Sequence, residues 1–444
     1  MFAFRADPLG FLARTIRRYG NISAFSVGQA RFLLVNDPDV TREVLVAKGG
    51  SFQKSPVLRQ ARVSIGDGLL TSEGDFHRRQ RRLSQPAFHP NRVAGYATAM
   101  VRRARQMADG WQDGQRVDLH EQMMKLTLRV VTETLFSASI DDEIDRIGRA
   151  MDIMVRMFDR ARNPLAPILN RLPLPSNRRF LNAQADVRRT VDHFVIQNRM
   201  AGVDRGDLLS TLIRARDNNG ESAALLDVPT GTGEADAMSD IQLRDEIVTL
   251  FIAGHETTAN ALTFTLWLLS QHPAAADRLY AEIDAVLPDH DPTADDQDRL
   301  PFTRAVVAES MRLYPPAWVL MRQAKEEVRL QSQPLTVPKD GIVIMSQWIA
   351  HRDPRWWPEP DRFHPDRWLS DAAKESRPKY AYFPFGGGVR SCIGEAFAWT
   401  EAVLIVATLL RDWRLEAASA EPLRLKPTIT LRPRDPIWMN LRRR

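Results

Sequence analysis

The stretch Phe383-Pro-Phe-Gly-Gly-Gly-Val-Arg-Ser-Cys-Ile-Gly-Glu-Ala-Phe397 constrains this chain more than any other, because it holds the only cysteine in 444 residues. One thiol forms no internal disulfide and builds no multi-cysteine zinc or iron–sulfur site. Any chemistry at Cys392 is therefore that of a single thiolate. Gly386, Gly387 and Gly388 precede it and Gly394 follows. From Gly394 to about Leu410 the pattern turns helical and apolar (Phe397, Val403, Leu404, Leu409). Cys392 is thus expected in a tight loop just ahead of a helix, where free N–H groups and the helix dipole favour a thiolate. Arg390 adds a cation two residues away.

Such a thiolate attacks a substrate carbon or binds a metal from one side. Attack requires a base, usually histidine. None of the nine histidines lies near this loop, the nearest upstream being His364. Ligation suits the glycines, which let backbone N–H groups approach the sulfur and tune a metal thiolate. A buried inert cysteine, the default for a lone thiol, accounts for neither the glycines nor the arginine.

Ser239 to about Gln271 reads as one long helix, with a capping-box pattern at Ser239 and Gln242. It is apolar nearly all round, so it should be buried. Gly254, His255, Glu256, Thr257, Thr258 and Asn260 fall mid-stretch and argue against a membrane span. Gly254 mid-helix costs about 1 kcal/mol relative to Ala. Either Thr257 bonds back to the preceding turn's carbonyl, or the helix is locally distorted to open a pocket for a small ligand and water. Glu309 and Arg312 stand three apart on a predicted helix and share a face. His77 and Arg81 stand four apart on another. Each has a plain alternative as a solvated surface charge.

Phe385-x-x-Gly388-x-Arg390-x-Cys392-x-Gly394 resembles the haem-binding loop of the cytochrome P450 family at every signature position. The resemblance implies that Cys392 is the proximal thiolate ligand of haem b (heme b, iron protoporphyrin IX), with O2 as co-substrate. Ala253-Gly-x-Glu-Thr257 resembles the family's oxygen-activation motif, which makes Thr257 and Glu256 the catalytic pair and Glu256 the proton relay. Ala253 and Gly254 then lie beside the cofactor, and His255 is non-catalytic. Glu309-x-x-Arg312 with Arg367 of Pro365-Asp-Arg-Trp368 resembles the structural Glu–Arg–Arg cluster, although Trp368 stands where Phe is more usual. His77, Arg81, Arg322 and Arg390 become candidates for the haem propionates. Family topology points to Val57, Leu58, Val63, Ile65, Leu69, Phe251, Ala253, Trp318, Val319, Leu320 and Ile429 as pocket residues, with Arg59 or Arg62 placed to meet a fatty-acid head group.

The expected fold is mainly α with small β regions (α+β), a P450 fold with a long central helix over a buried haem. Length alone suggests two or three domains, yet motifs from His77 to Cys392 must converge on one cofactor, so residues 1–444 are read as one haem domain. Helices are expected at about 91–112, 121–137, 141–160, 180–200, 239–271, 273–287 and 301–314. Strands are expected at Ile22–Val27 and Arg31–Val35, and β patches at Leu335–Ile349 and Leu423–Met439. Pro164–Pro175 reads as a lid over the substrate entrance and Glu221–Asp236 as a flexible surface loop.

The implied function is a haem-thiolate monooxygenase acting on an apolar substrate such as a fatty acid, terpenoid or steroid. A peroxide-driven peroxygenase, a cysteine-nucleophile transferase or hydrolase, and a non-catalytic haem gas sensor are the alternatives. The opening residues show no signal peptide or anchor, and the single cysteine agrees with a reducing compartment, so a cytoplasmic monomer is expected. The net charge of +6 and pI near 9.6 come without a nucleic-acid-binding motif. They suit an acidic redox partner instead, a ferredoxin or flavodoxin served by its NAD(P)H reductase, since no flavin or nicotinamide extension follows Arg444. The basic cluster Arg442–Arg444 is the tightest on the chain.

Overall fold

The computed structural model describes residues 4–444 apart from 5, 162–168, 171, 204, 218–237, 371–374 and 420. Half of the expected Pro164–Pro175 lid (164–168 and 171) and all of Glu221–Asp236 lie outside the described residues.

Eleven longer helices are described: α1 (Pro8–Tyr19), α2 (Gly74–Ser84), α3 (Pro90–Asp109), α4 (Leu119–Phe136), α5 (Ile144–Ala161), α6 (Pro175–Ala201), α7 (Leu208–Asp217), α8 (Asp240–Gln271), α9 (Pro273–Val286), α10 (Pro301–Leu313) and α11 (Glu395–Asp412). Proline at the first position starts α3, α6, α9 and α10, where its missing N–H has no partner to lose. This places the start of α6 at Pro175, earlier than its apolar pattern suggests. α8 opens on the capping box of Ser239 and Gln242 and runs 32 residues, about 48 Å. It is buried along most of its length against α4, α6, α10 and α11.

The strands are short: β1 (Ile22–Val27), β2 (Ala30–Val35), β3 (Phe52–Lys54), β4 (Arg116–Asp118), β5 (Leu320–Ala324), β6 (Val328–Arg329), β7 (Thr336–Val337), β8 (Ile342–Met345), β9 (Trp413–Ala417), β10 (Leu425–Pro427), β11 (Leu431–Pro433) and β12 (Trp438–Arg443). The main sheet has the order β1-β2-β8-β5-β3. β2 and β8 pair in parallel, with Phe32 opposite Ile342, and the other pairs are antiparallel. β4, β12 and β9 form a second sheet, and β10 pairs with β11. The β patch expected at Leu335–Ile349 divides into β7, β8 and a helical turn at Gln347–Ala350, and the patch at Leu423–Met439 divides into β10, β11 and the start of β12. β3, β4, β5 and β9 have too few residues to show an alternating pattern of their own.

The helices enclose one large apolar core that contains most of α8 and α11. A smaller cluster lies under the main sheet and includes Leu33, Phe52, Val343 and Phe383. The cysteine loop leaves this second cluster at Phe383 and enters the first at Phe397, so it crosses the junction of sheet and helices.

Candidate active site

The cysteine loop is forced into its path by its glycines. Gly386 and Gly388 have φ of +72° and +68°, the left-handed region that favours glycine. A Cβ on Gly388 would stand 2.0 Å from the Leu45 carbonyl oxygen, and one on Gly387 2.5 Å from the Tyr380 hydroxyl. Cys392 N–H donates to the Phe385 carbonyl at 2.9 Å, which closes the loop. Phe385 packs against Trp399 of α11 with ring centroids 6.0 Å apart.

The Cys392 side chain is exposed, although it lies so deep in the protein that burial pushes its thiol up to about 11. Both hold if the sulfur faces a space inside the fold. The Gly394 N–H and Arg81 favour the thiolate, but burial outweighs them and Glu395 opposes them. The expected stabilisation by the helix start is therefore present and insufficient: without a cation bonded to it, this sulfur keeps its proton. Arg390 is not the neighbouring cation. Its guanidinium donates to Glu73, at 2.6 Å for the closest contact, and to the carbonyls of Gly49 and Phe52, both at 2.9 Å. These contacts make Arg390 a bolt that fastens the loop to β3. Arg81 stands closer, donating to the Ser391 carbonyl at 2.7 Å.

A second accessible patch lies on α8. Ala253, Gly254 and Thr257 are half-buried, whereas their neighbours Phe251, Ile252, His255, Glu256 and Thr258 are buried. The helix runs through this point without a break, so of the two alternatives the local distortion is not seen. Thr257 Oγ1 donates to the Ala253 carbonyl at 2.8 Å, as its plain reading had it.

Glu256 is turned away from that patch. It accepts a short hydrogen bond from Thr430 Oγ1, and Arg432 Nε of β11 is 4.0 Å away. Arg432 Nη1 continues to Asp152 of α5 at 2.9 Å, and Asp152 binds Arg156, whose side chain is 59% exposed. Burial raises the Glu256 carboxyl above the usual range, against the pull of Arg432 and Thr430. Around Glu256, Arg432 Nε and Nη2, Asn260 Nδ2 and His255 Nε2 are buried and have no hydrogen-bond partner among the described residues, a setting that suits ordered water. Thr430 and Arg432 escaped the sequence reading. Their trace is the alternation of polar Thr428, Thr430 and Arg432 with apolar Ile429 and Leu431.

Cations collect near the cysteine loop. Arg322 is 5% exposed, and it makes no ion pair among the described residues. Among the described residues its guanidinium donates only to the Met321 carbonyl, at 3.1 Å, and burial lowers it to about 10. His77 is buried and held neutral, lowered to about 4 by burial and by nearby Lys54 and Arg390. Lys54 and Glu73, both absent from the sequence reading, complete this group; Lys54 lies opposite Arg322 between β3 and β5.

Glu309 is fully buried. It accepts from Arg312 at 2.8 and 2.9 Å, Arg367 at 3.0 Å, the His364 N–H at 2.9 Å and Trp368 Nε1 at 2.9 Å. Burial would raise its carboxyl, but these partners hold it below the ordinary range. Trp368 thus supplies a donor that the more usual phenylalanine lacks.

Two expected pocket residues are corrected. Phe251 is fully buried among Phe136, Phe194 and His255, because one helical turn from it leads to His255 and not to the 253–257 patch. Trp318 is 2% exposed and donates to the Thr428 carbonyl at 2.9 Å, inside the core. Val319, Leu320, Leu58 and Ile429 are half-buried, and Ile65 and Leu69 are buried. Val57 and Val63 are exposed at 38% and 74%. Leu320 approaches the loop, 3.4 Å from where a Gly386 Cβ would stand. Arg59 is engaged by Gln323 at 2.6 Å and by the Lys54 carbonyl, so its head-group role is withdrawn. Of the C-terminal arginines, Arg442 pairs with Glu416 and Arg444 with Asp284.

A single accessible sulfur, a glycine-shaped cradle and a buried arginine without a carboxylate partner fit a planar metal cofactor bearing carboxylates. The match to the protein-family model described as Cytochrome P450 covers residues 3–440. The chain belongs to the cytochrome P450 family. It is 39% identical to the cyclooctat-9-en-7-ol 5-monooxygenase of Streptomyces melanosporofaciens, over 92% of this chain and 85% of that one. It is 33% identical to the pentalenene oxygenase of Streptomyces avermitilis, over 92% and 87%. Among solved structures, a cytochrome P450DA heme domain superposes with a TM-score of 0.85 at 27% identity, covering 98% of this chain and 93% of the other. This P450 is a monooxygenase, an oxidoreductase of a family that uses haem and dioxygen. Among the described residues no helix is long and apolar enough to cross a membrane.

Proposed function

We propose that this P450 is a single haem domain that oxidises terpenoids, with Cys392 as the iron ligand. The observation that carries the ligand assignment is the exposed thiol deep inside the fold, on a loop that only glycines can shape. The terpenoid class is supported by the relatives that oxidise cyclooctat-9-en-7-ol and pentalenene, and by the apolar character of Leu58, Ile65, Leu69, Val319, Leu320 and Ile429.

When bound, the haem supplies the redox chemistry that inserts one atom of dioxygen into a C–H or C=C bond. The chain supplies position and protons. Arg322 and Arg81 would hold the carboxylates of the cofactor, and neutral His77 would add a hydrogen-bond donor beside them. Thr257, on the accessible patch of α8, orients a water at the reaction centre. Glu256 holds a proton at its carboxyl group, passes it toward Thr257 through water and recovers one from water in the polar space bordered by Thr430 and Arg432, where the fixed Arg432 cation orients that water. Burial raises the pKa of Glu256 and so favours the protonated form that this role needs. Glu309, Arg312 and Arg367 brace the proximal side. Electrons come from a separate ferredoxin or flavodoxin, which the +6 net charge favours if the donor is acidic. The lone cysteine supports a cytoplasmic location.

The reduced protein treated with carbon monoxide should show the strongly red-shifted Soret band of sulfur ligation, and Cys392→Ser should lose it. A colourless or imidazole-type preparation overturns the ligand assignment. Pentalenene and cyclooctat-9-en-7-ol should each shift the haem spectrum on binding; a panel in which only non-terpenoids do so removes the substrate class. Thr257→Ala and Glu256→Gln should lower product formed per dioxygen consumed by about tenfold or more, and unchanged coupling contradicts the proton route.

A further inference from the structure

Residues 66–72 form the loop that leads into α2, and they lie against α8 closer than ordinary side chains allow. A Cβ on Gly66 would stand 2.1 Å from the Asp245 carboxyl carbon, and one on Gly68 2.3 Å from Thr249 Oγ1. Asp67 N–H donates to Asp245 Oδ2 at 2.9 Å. Leu69 N–H donates to Glu246 Oε2 at 3.0 Å and Oε1 at 3.3 Å. From the other side, Lys54 Nζ of β3 donates to the Leu69 carbonyl at 2.7 Å and to the Ser72 carbonyl at 2.6 Å. Both backbone polar groups of Leu69 are thus held by ionisable side chains from two different elements.

Lys54 and Glu246 are 5% and 0% exposed, and they make no direct ion pair with each other; they meet through Leu69. Burial lowers Lys54 to about 7 and raises Glu246 to about 8, so neither is at ease there. A pair of apolar residues of similar volume would avoid burying two ionisable groups, but it would leave the Leu69 N–H and the Leu69 and Ser72 carbonyls without these partners. The two buried groups are therefore accounted for by the position they give the loop backbone and not by pairing with each other. Glu246 precedes Ala253 by seven residues, about 10 Å along the helix, and Lys54 pairs across the sheet with Arg322. The brace thus links the cation cluster to the helix that carries the catalytic pair.

We propose that Lys54 and Glu246 are positioning residues that clamp Leu69, fix the 66–72 loop as one wall of the substrate space and so help decide which substrates fit. The role as a substrate wall rests on the function proposed above, whereas the clamp itself does not.

Hydrogen exchange on the haem-loaded protein tests the clamp directly. In Glu246→Ala the amides of residues 67–72 should exchange about tenfold faster or more, the loss expected for one charge-assisted hydrogen bond, while α9 and α11 stay protected. Glu246→Gln, which keeps an acceptor for the Leu69 N–H, should show a smaller effect. The double variant K54M/E246L strands no charge but removes the partners of the Leu69 and Ser72 backbone groups, so it too should exchange rapidly at 67–72. Carbon monoxide should recombine faster after photolysis in E246A and in the double variant, at an unmoved Soret position. Unchanged exchange at 67–72 in every variant, or faster exchange spread evenly over the molecule, overturns the clamp. Fast local exchange with unchanged carbon monoxide kinetics overturns its role as a wall. A parent protein without the sulfur-type band overturns the haem assignment instead, and the exchange result still judges the clamp.

Discussion

At Cys392 burial and local polarity oppose each other, and burial wins. The Gly394 N–H and Arg81 favour the thiolate, yet the group titrates near 11, above the ordinary thiol value of about 8.5. In cofactor-free protein the sulfur should stay protonated through neutral pH. Its alkylation rate should then rise about tenfold per pH unit from 7 to 10, as a stopped-flow maleimide series would measure; a plateau near pH 8 would mean that the sulfur is less buried than described. This raised value also speaks against a cysteine nucleophile, which needs a lowered one. The cysteine itself was legible in the sequence because its neighbours are so unusual. The true partner of Arg390 was not, since Glu73 lies 317 residues away and no local pattern records such a contact.

The elements show how backbone shape and buried charge restrict the same site. Gly388→Ala would place a methyl group 2.0 Å from the Leu45 carbonyl at a φ of +68°. We expect a loss of about 2 kcal/mol or more, seen as a lower denaturant midpoint and as poor haem retention. On α11, Glu401 is fully buried and neither carboxyl oxygen has a hydrogen-bond partner. Thr258 of α8 is its nearest polar influence, but that hydroxyl is turned to the Gly254 carbonyl at 3.3 Å. Burial raises Glu401 well above its ordinary value. The folded state then binds the extra proton, so stability falls as pH climbs from the unfolded value near 4.5 toward the folded one. Glu401→Gln removes that dependence. Its stability advantage over the parent should therefore grow between pH 5 and 8, and a constant difference would contradict the assignment. The long helices were legible because their apolar period repeats over many turns. Strands of two to five residues carry no such repeat, which is why β3, β5 and β9 went unseen.

For the whole molecule, the clearest constraint is the Glu309 cluster, which joins α10 to the segment carrying His364, Arg367 and Trp368. Glu309→Ala leaves Arg312 and Arg367 buried without their anion. Removing one partner of a buried pair costs about 3–5 kcal/mol, so chemical denaturation should show a loss of that order, and a change under 1 kcal/mol would mean that the arginines find other acceptors. The motif was visible in the sequence as a spacing of three. Its fifth donor, Trp368, was visible only as a departure from the family pattern. The line of contacts from Glu256 through Arg432 to Asp152 joins residues 176 and 280 positions apart, and only the folded chain brings them together.

The parallel pairing of β2 with β8 sets Phe32 against Ile342. A ribosome adding about 5–20 residues per second needs roughly 15–60 s to deliver the second strand after the first. Throughout that interval β2 has only β1 beside it, and its other edge is open to any neighbouring chain. Expression yield should therefore depend on how well chaperones shield the first strands during synthesis, and slower translation should lengthen their time at risk.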